Sequence, residues 1–198
     1  VPGRNKKARK WPDPVQIQLT GSGGQGLILA GIILAEAALK DGFHVAQTQA
    51  YGPEARGGSS RAEVIIGSGP IDYPHVERPD ILLALTQEAC DKYIAEAGRN
   101  SVVITDSLLV PTVPKTSAAV VRVPVINTAR EVGREVVANI VALGALNSVT
   151  GLVSWPSLEE AVLDRAPAGT AELNKKALAA GRSLAGPGPQ EKSEEVVP

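Results

Sequence analysis

The chain has 198 residues, 43% hydrophobic and 21% charged, with 20 basic against 21 acidic side chains. That is the make-up of an ordinary globular protein of one domain or two small ones. The longest apolar stretch, Leu27 to Leu39, is interrupted by Gly31 and Glu36 and is too short to cross a bilayer, so no membrane span is expected.

Residues 1–14 read as a basic flexible tail. Arg4, Lys6, Lys7, Arg9 and Lys10 face no acid within 1–10, which leaves 15 cations against 21 acids, a net of −6, in the rest of the chain. The tail has one aromatic, Trp11, and no fold of a nucleic-acid reader, which argues against nucleic acid as a partner. Val15–Leu19 alternates as a strand and runs into the glycine stretch 21–26. Residues 26–41 have helical length and composition, with Gly42 placed to end the helix. His44–Gln49 is the second strand and Arg61–Ile66 the third, separated by a Gly, Pro and Ser-rich stretch. Asp80–Leu85 is an apolar run of buried type, followed by a helix over 86–97 with Thr86 as its N-cap. Ser101–Thr105 and Ala119–Val123 are two more strands. Asn127 is placed to cap a long helix to about Leu146, Ser157 one to about Arg165, and residues 170–184 form a last one. Residues 185–198, rich in Gly, Pro and charge, read as a disordered C-terminal tail.

Strands alternating with helices predict an α/β fold, Rossmann-like, with a mainly parallel sheet and helices on both faces. No helix separates the third strand from Asp80, so one antiparallel element is expected to interrupt the winding. The last third is helical. With no repeat or composition break, residues 15–184 read as a single domain.

Few residues could carry chemistry. One cysteine, Cys90, excludes an internal disulfide and any thiolate-held cluster or zinc of this chain alone, and it fits a reducing cytoplasm. No secretory signal pattern leads the chain. His44 and His75 stand far apart, without metal-ligand spacing, and Cys90 reads as a small buried hydrophobe. Glu159, Glu160, Asp164 and Arg165 read as the solvated face of a helix.

Two runs stand out. Gly21-Ser22-Gly23-Gly24-Gln25-Gly26 matches G-x-G-x-x-G between a strand and a helix, where glycines allow a tight turn and close approach of amides to a pyrophosphate. A dinucleotide site also needs an acid at the end of the second strand to hold the ribose. His44–Ala50 has none, and no cation for a 2′-phosphate occurs before Arg56, so a nicotinamide cofactor is disfavoured. The second run is Tyr51-Gly52-Pro53-Glu54-Ala55-Arg56-Gly57-Gly58, poor as helix or strand and placed directly after the second strand. It reads either as a ligand or partner loop at the carboxyl ends of the strands or as an ordinary surface turn.

The order GSGGQG, YGPEARGG, RAEVIIGS and DILLAL resembles the gamma subunit of the 2-oxoacid:ferredoxin oxidoreductases that act on pyruvate, 2-oxoglutarate or branched-chain oxoacids. The resemblance spans roughly 15–184. It implies oxidative decarboxylation of a 2-oxoacid with coenzyme A to acyl-CoA, carbon dioxide and reduced ferredoxin. It also implies alpha, beta and delta (ferredoxin-like) partner subunits, with ferredoxin as electron acceptor. Thiamine diphosphate, Mg2+ and [4Fe-4S] clusters would belong to the assembled complex, and none of them to this chain, which has neither a G-D-G…N run nor the cysteines. On this resemblance no residue here is catalytic. Gly21–Gly26 with Tyr51, Gly52, Pro53, Glu54, Arg56, Gly57 and Gly58 would face coenzyme A or the partner subunits. A stand-alone nucleotide-binding module and an indolepyruvate oxidoreductase small subunit are the alternatives.

Overall fold

The computed structural model describes residues 11–51 and 59–184. Six strands, β1 (Val15–Ser22), β2 (His44–Tyr51), β3 (Ser59–Gly67), β4 (Ile81–Ala84), β5 (Val102–Asp106) and β6 (Ala119–Val123), form one sheet in the order β2-β3-β1-β4-β5-β6. β1, β4, β5 and β6 are parallel, and β3 runs antiparallel to both β1 and β2. β3 is thus the antiparallel element that the missing crossover helix implies.

Six helices complete the fold: α1 (Leu27–Lys40), α2 (Gln87–Tyr93), α3 (Val125–Val132), α4 (Ala138–Thr150), α5 (Trp155–Arg165) and α6 (Ala171–Leu184). They lie on both faces, unevenly. Ile17 and Leu19 of β1, Val64 of β3, Leu83 of β4 and Ile104 of β5 join one core with α1, α3, α4, α5 and α6. Leu82, Ala84 and Val103 join a smaller one with α2 and the turn of 3-10 helix that follows it. The central strands β4 and β5 are buried along their whole length, which is why they read as unbroken apolar runs rather than alternating ones.

Helix starts differ from the sequence expectation in instructive ways. The long helix from Asn127 to Leu146 is two helices. Gly133, at a φ of +133°, and a 3-10 turn at Glu135–Val137 divide them. α3 begins at Val125, because Asp106 at the end of β5 accepts the Ile126 N–H at 2.8 Å and supplies the cap from another element. α5 is capped by Ser154, whose Oγ accepts the Ser157 N–H at 3.3 Å, so Ser157 is not the cap. Pro156 in the first turn fits that earlier start, since its missing N–H costs nothing there. Thr86 does cap α2, accepting from the Ala89 N–H. Its helix ends at Tyr93 and tightens to a 3-10 turn at Ile94–Glu96.

The expected N-terminal tail also shortens. Trp11 donates from Nε1 to the Thr150 carbonyl at 2.9 Å, and Asp13 accepts the Ser68 N–H at 2.8 Å, so residues 11–14 belong to the body. Residues 1–10, 52–58 and 185–198 lie outside the described residues.

Candidate functional site

β1 leaves the sheet in one direction towards β3 and β2 and in the other towards β4, so the order reverses beside β1, and ligands of open α/β sheets bind outside the strand ends at such a point. The glycine loop sits there. Gly23 and Gly24 are exposed, and Gly24 and Gly26 have φ of +92° and +72°. Gln25 folds back on its own turn. Its Oε1 accepts the Ser22 N–H at 2.9 Å, and its backbone N–H donates to the Ser22 carbonyl at 3.3 Å. That carboxamide fills the space above Gly21, where a Cβ would collide with it. Two loop amides, those of Ser22 and Gln25, are therefore committed within the turn. The first turn of α1 has no side-chain cap and no acid, which leaves its N-terminus open to an anion or a partner's acceptor.

The flanks of the second run lie level with this loop. Tyr51 pairs with Ser60 across β2 and β3, and Ser60 pairs with Gly21 across β3 and β1. The two motifs therefore leave the sheet at the same end, two strand spacings apart, about 10 Å. Gly52, Pro53, Glu54, Arg56, Gly57 and Gly58 are outside the described residues. The strand order adds a second argument against a dinucleotide. In the nicotinamide fold the acid-bearing second strand lies directly beside the first, whereas here β3 separates β2 from β1.

Asn139 was missed by the sequence reading. It is the second residue of α4, is 4% exposed, and donates from Nδ2 to the Gly26 carbonyl at 3.3 Å, buttressing the loop from behind. The only signal was Gly133, a glycine inside what read as one helix. Asp106 was also missed. It is fully buried, with Oδ1 accepting from Leu108 N (2.8 Å) and Leu109 N (2.7 Å) and Oδ2 from Ile126 N. Three amides occupy this carboxylate, so it braces the strand end and is not free to act as a base.

Other titratable groups serve the body of the molecule. Glu63 of β3 is 3% exposed and paired with Arg61 at 3.1 Å. Its Oε2 accepts from Thr48 Oγ1 at 2.8 Å and lies 3.5 Å from His75 Nδ1. His44 is exposed at the start of β2. Burial pushes the Cys90 thiol up, the Asp91 charge adds to it, and Arg122 offsets part. A fully buried thiol held protonated in this way is a packing group, not a nucleophile. Glu160 and Asp164 lie on the solvated face expected for them and pair across to Lys40 of α1 at 2.6 and 3.0 Å, and exposed Arg165 pairs with Glu36. Among the described residues no group of three or more His, Cys, Asp and Glu side chains could hold a metal, and no helix is long and apolar enough to cross a membrane. Among the described residues around the loop, the one buried carboxylate, Asp106, is taken up by backbone amides.

Comparison with known proteins shows the family of the chain. The 2-oxoglutarate synthase subunit KorC of Methanocaldococcus jannaschii is 46% identical over 186 residues, covering 92% of this chain and 97% of that subunit. The crystal structure of a keto/oxoacid ferredoxin oxidoreductase gamma subunit from Geobacter sulfurreducens superposes with a TM-score of 0.79 at 51% identity, covering 86% of this chain and 98% of that one. The ketoisovalerate oxidoreductase subunit VorA of Methanothermobacter thermautotrophicus is 36% identical over 154 residues, 71% of this chain but only 31% of that longer polypeptide. The profile of the pyruvate ferredoxin/flavodoxin oxidoreductase family matches residues 16–184. From the sheet order, the glycine loop at its switch point and a match across almost all of the described body, the chain belongs to the pyruvate ferredoxin/flavodoxin oxidoreductase family.

Proposed function

We propose that this chain is the gamma-type subunit of a cytoplasmic 2-oxoglutarate:ferredoxin oxidoreductase. The observation that carries the substrate class is identity of 46% to a 2-oxoglutarate synthase subunit along nearly its full length, against 31% to a gamma subunit common to pyruvate and ketoisovalerate oxidoreductases from Thermococcus litoralis. In this reading the complex oxidatively decarboxylates 2-oxoglutarate with coenzyme A and passes the electrons to ferredoxin.

The residues of this chain do not fit the prosthetic groups that such chemistry needs. One buried cysteine cannot ligate a cluster, and the described residues offer no metal cradle for a thiamine diphosphate. In this reading thiamine diphosphate, Mg2+ and the clusters reside in alpha, beta and delta partners. The contribution of this chain is to position. Gly21–Gly26 and the strand ends at Tyr51 and Ser59 lie at the same end of the sheet, and the proposed role of Gly21–Gly26 and Tyr51–Gly58 is to face coenzyme A or the partner subunits, with Glu54 and Arg56 as the polar anchors. Reduced, buried Cys90 suits a cytoplasmic setting.

The test is reconstitution. The complex, produced with and without this chain, is assayed for coenzyme A-dependent ferredoxin reduction with 2-oxoglutarate, pyruvate and 2-oxoisovalerate. Turnover should require this chain and should favour 2-oxoglutarate in kcat/KM. Equal turnover without the chain would refute the subunit role. A preference for pyruvate or 2-oxoisovalerate would refute the substrate class alone.

A further inference from the structure

The Gln18 side chain is fully buried, and neither Oε1 nor Nε2 of its carboxamide meets a hydrogen-bond partner from the protein. Among the described residues, Thr105 Oγ1 is the one other buried side-chain atom in that condition. Buried amides in native proteins nearly always bond to protein or to ordered water, because an unpaired one has lost its hydration for nothing. Gln18 lies in the middle of β1, directly opposite Glu63 on β3 and level with Leu82 on β4. Leu82 packs with Ala89, Cys90 and Tyr93 of α2 in the smaller core, so Gln18 stands on the face of the sheet that α2 covers.

Glu63 is the acceptor that the strand pairing offers to Gln18, since opposite side chains of an antiparallel pair have Cβ atoms about 5 Å apart. Glu63 is drawn elsewhere. Its Oε2 accepts from Thr48 Oγ1 at 2.8 Å and from the Val76 N–H at 3.3 Å, and it lies 3.5 Å from His75 Nδ1. Thr48 pairs with Glu63 from β2, on the far side of β3 from Gln18. Among the described residues, Oε1 meets only the Arg61 guanidinium, at 3.1 Å, and so keeps lone-pair capacity for another donor. Arg61 also lies over the Tyr93 ring, 5.7 Å from its centroid, which ties α2 into the same cluster.

Two buried, complementary groups therefore face each other across neighbouring strands without a direct bond. What suits the space between them is a small molecule that both donates and accepts. The Glu63 charge disfavours an anion there, and the Arg61 charge disfavours a cation, which leaves a neutral one. Carboxamide, carboxylate and guanidinium are polar partners enough for water, which makes about three hydrogen bonds when buried. We infer that buried water completes the Gln18 carboxamide, with one molecule accepting from Nε2 and donating to Glu63 Oε1. β1 and β3 are thereby joined through side chains as well as backbone, three residues before the glycine loop begins.

The test is a crystal structure of the full chain at a resolution that shows ordered water, together with urea unfolding of the parent and of Gln18→Met. A water should stand about 2.7–3.2 Å from both the Gln18 carboxamide and Glu63 Oε1. Met keeps the length of the side chain and removes both of its polar groups. With the water in place, the substitution breaks its bond to residue 18 and leaves Glu63 Oε1 short of a donor, so the urea midpoint should fall below the parent's. With the carboxamide truly unpaired, the substitution removes two costly polar atoms, and the midpoint should hold or rise. A direct bond from Gln18 to Glu63 in the crystal, or no water between them, would overturn the inference. An unchanged or higher midpoint for Gln18→Met would overturn it as well. The parent crystal decides by itself if the variant does not fold.

Discussion

At the scale of single residues, the glycine loop is held by a contact that no linear motif contains. Gly26 adopts a left-handed backbone, φ +72°, which costs an L-residue about 1–2 kcal/mol. A Cβ there would also lie 2.7 Å from Asn139 Nδ2. Gly26→Ala should therefore destabilise the protein by about 2 kcal/mol, and Asn139→Ala by about 1 kcal/mol through loss of its hydrogen bonds. In the double variant the methyl no longer meets the amide, so the combined cost should fall short of the sum by about 0.5–1 kcal/mol. Urea unfolding of the four proteins measures this cycle. Strict additivity would mean that the backbone angle alone makes glycine necessary and that Asn139 does not press on the loop.

Between elements, the closest approach is the crossing of α4 and α6. A Cβ on Gly181 would collide with the Val141 carbonyl, and one on Gly144 with the backbone at Leu178–Arg182, so the two helices meet backbone to backbone at these glycines. Gly181→Ala cannot be absorbed by a rotamer change, and the helices must separate. A loss of about 2–3 kcal/mol is expected. Gly98→Ala, where the nearest atom beyond its chain neighbours is Ser101 Oγ at 4.0 Å, should change stability by no more than about 0.5 kcal/mol. Thermal denaturation of both variants is the check, and equal midpoints would show that the crossing tolerates a methyl. This contact was hidden in the sequence because Gly144 and Gly181 lie in different helices, each otherwise an unremarkable helical stretch. The division of α3 from α4 was partly legible, since Gly133 stood in the middle of the predicted helix. The cap on α3 was not, because it comes from Asp106, twenty residues upstream in another element.

On the scale of the whole molecule, the proposed role is to bind and position, since the chain has one cysteine and its described residues hold no group of metal-ligating side chains. Purified alone, it should be colourless, contain no stoichiometric iron or acid-labile sulfide, and show no thiamine diphosphate binding by calorimetry. Iron and sulfide in the isolated chain would contradict the partition of cofactors argued here. The uneven cover of the sheet fits a body built to be approached. Five helices pack one face, while the strand ends at the switch point carry exposed glycines and apolar side chains.

The fold class was readable from residues alone because buried parallel strands demand apolar runs. Ile81–Ala84 and Val102–Asp106 have no second environment to satisfy. The glycine loop and the Thr86 cap were readable for a similar reason, since their geometry is local and few residue types supply it. The neighbours of each strand were not local information. The sequence order β1, β2, β3 says nothing of the pairing that inserts β3 between β1 and β2, and that pairing moves the end of β2 away from the loop a dinucleotide would need. Asn139 against Gly26 and Asp106 beneath α3 likewise join residues far apart in the chain. Local pattern determined which elements form, because hydrogen bonding and apolar periodicity act over a few residues. Only the closing of the sheet decided which of them share an end, because burying both faces of β4 and β5 requires the whole chain at once.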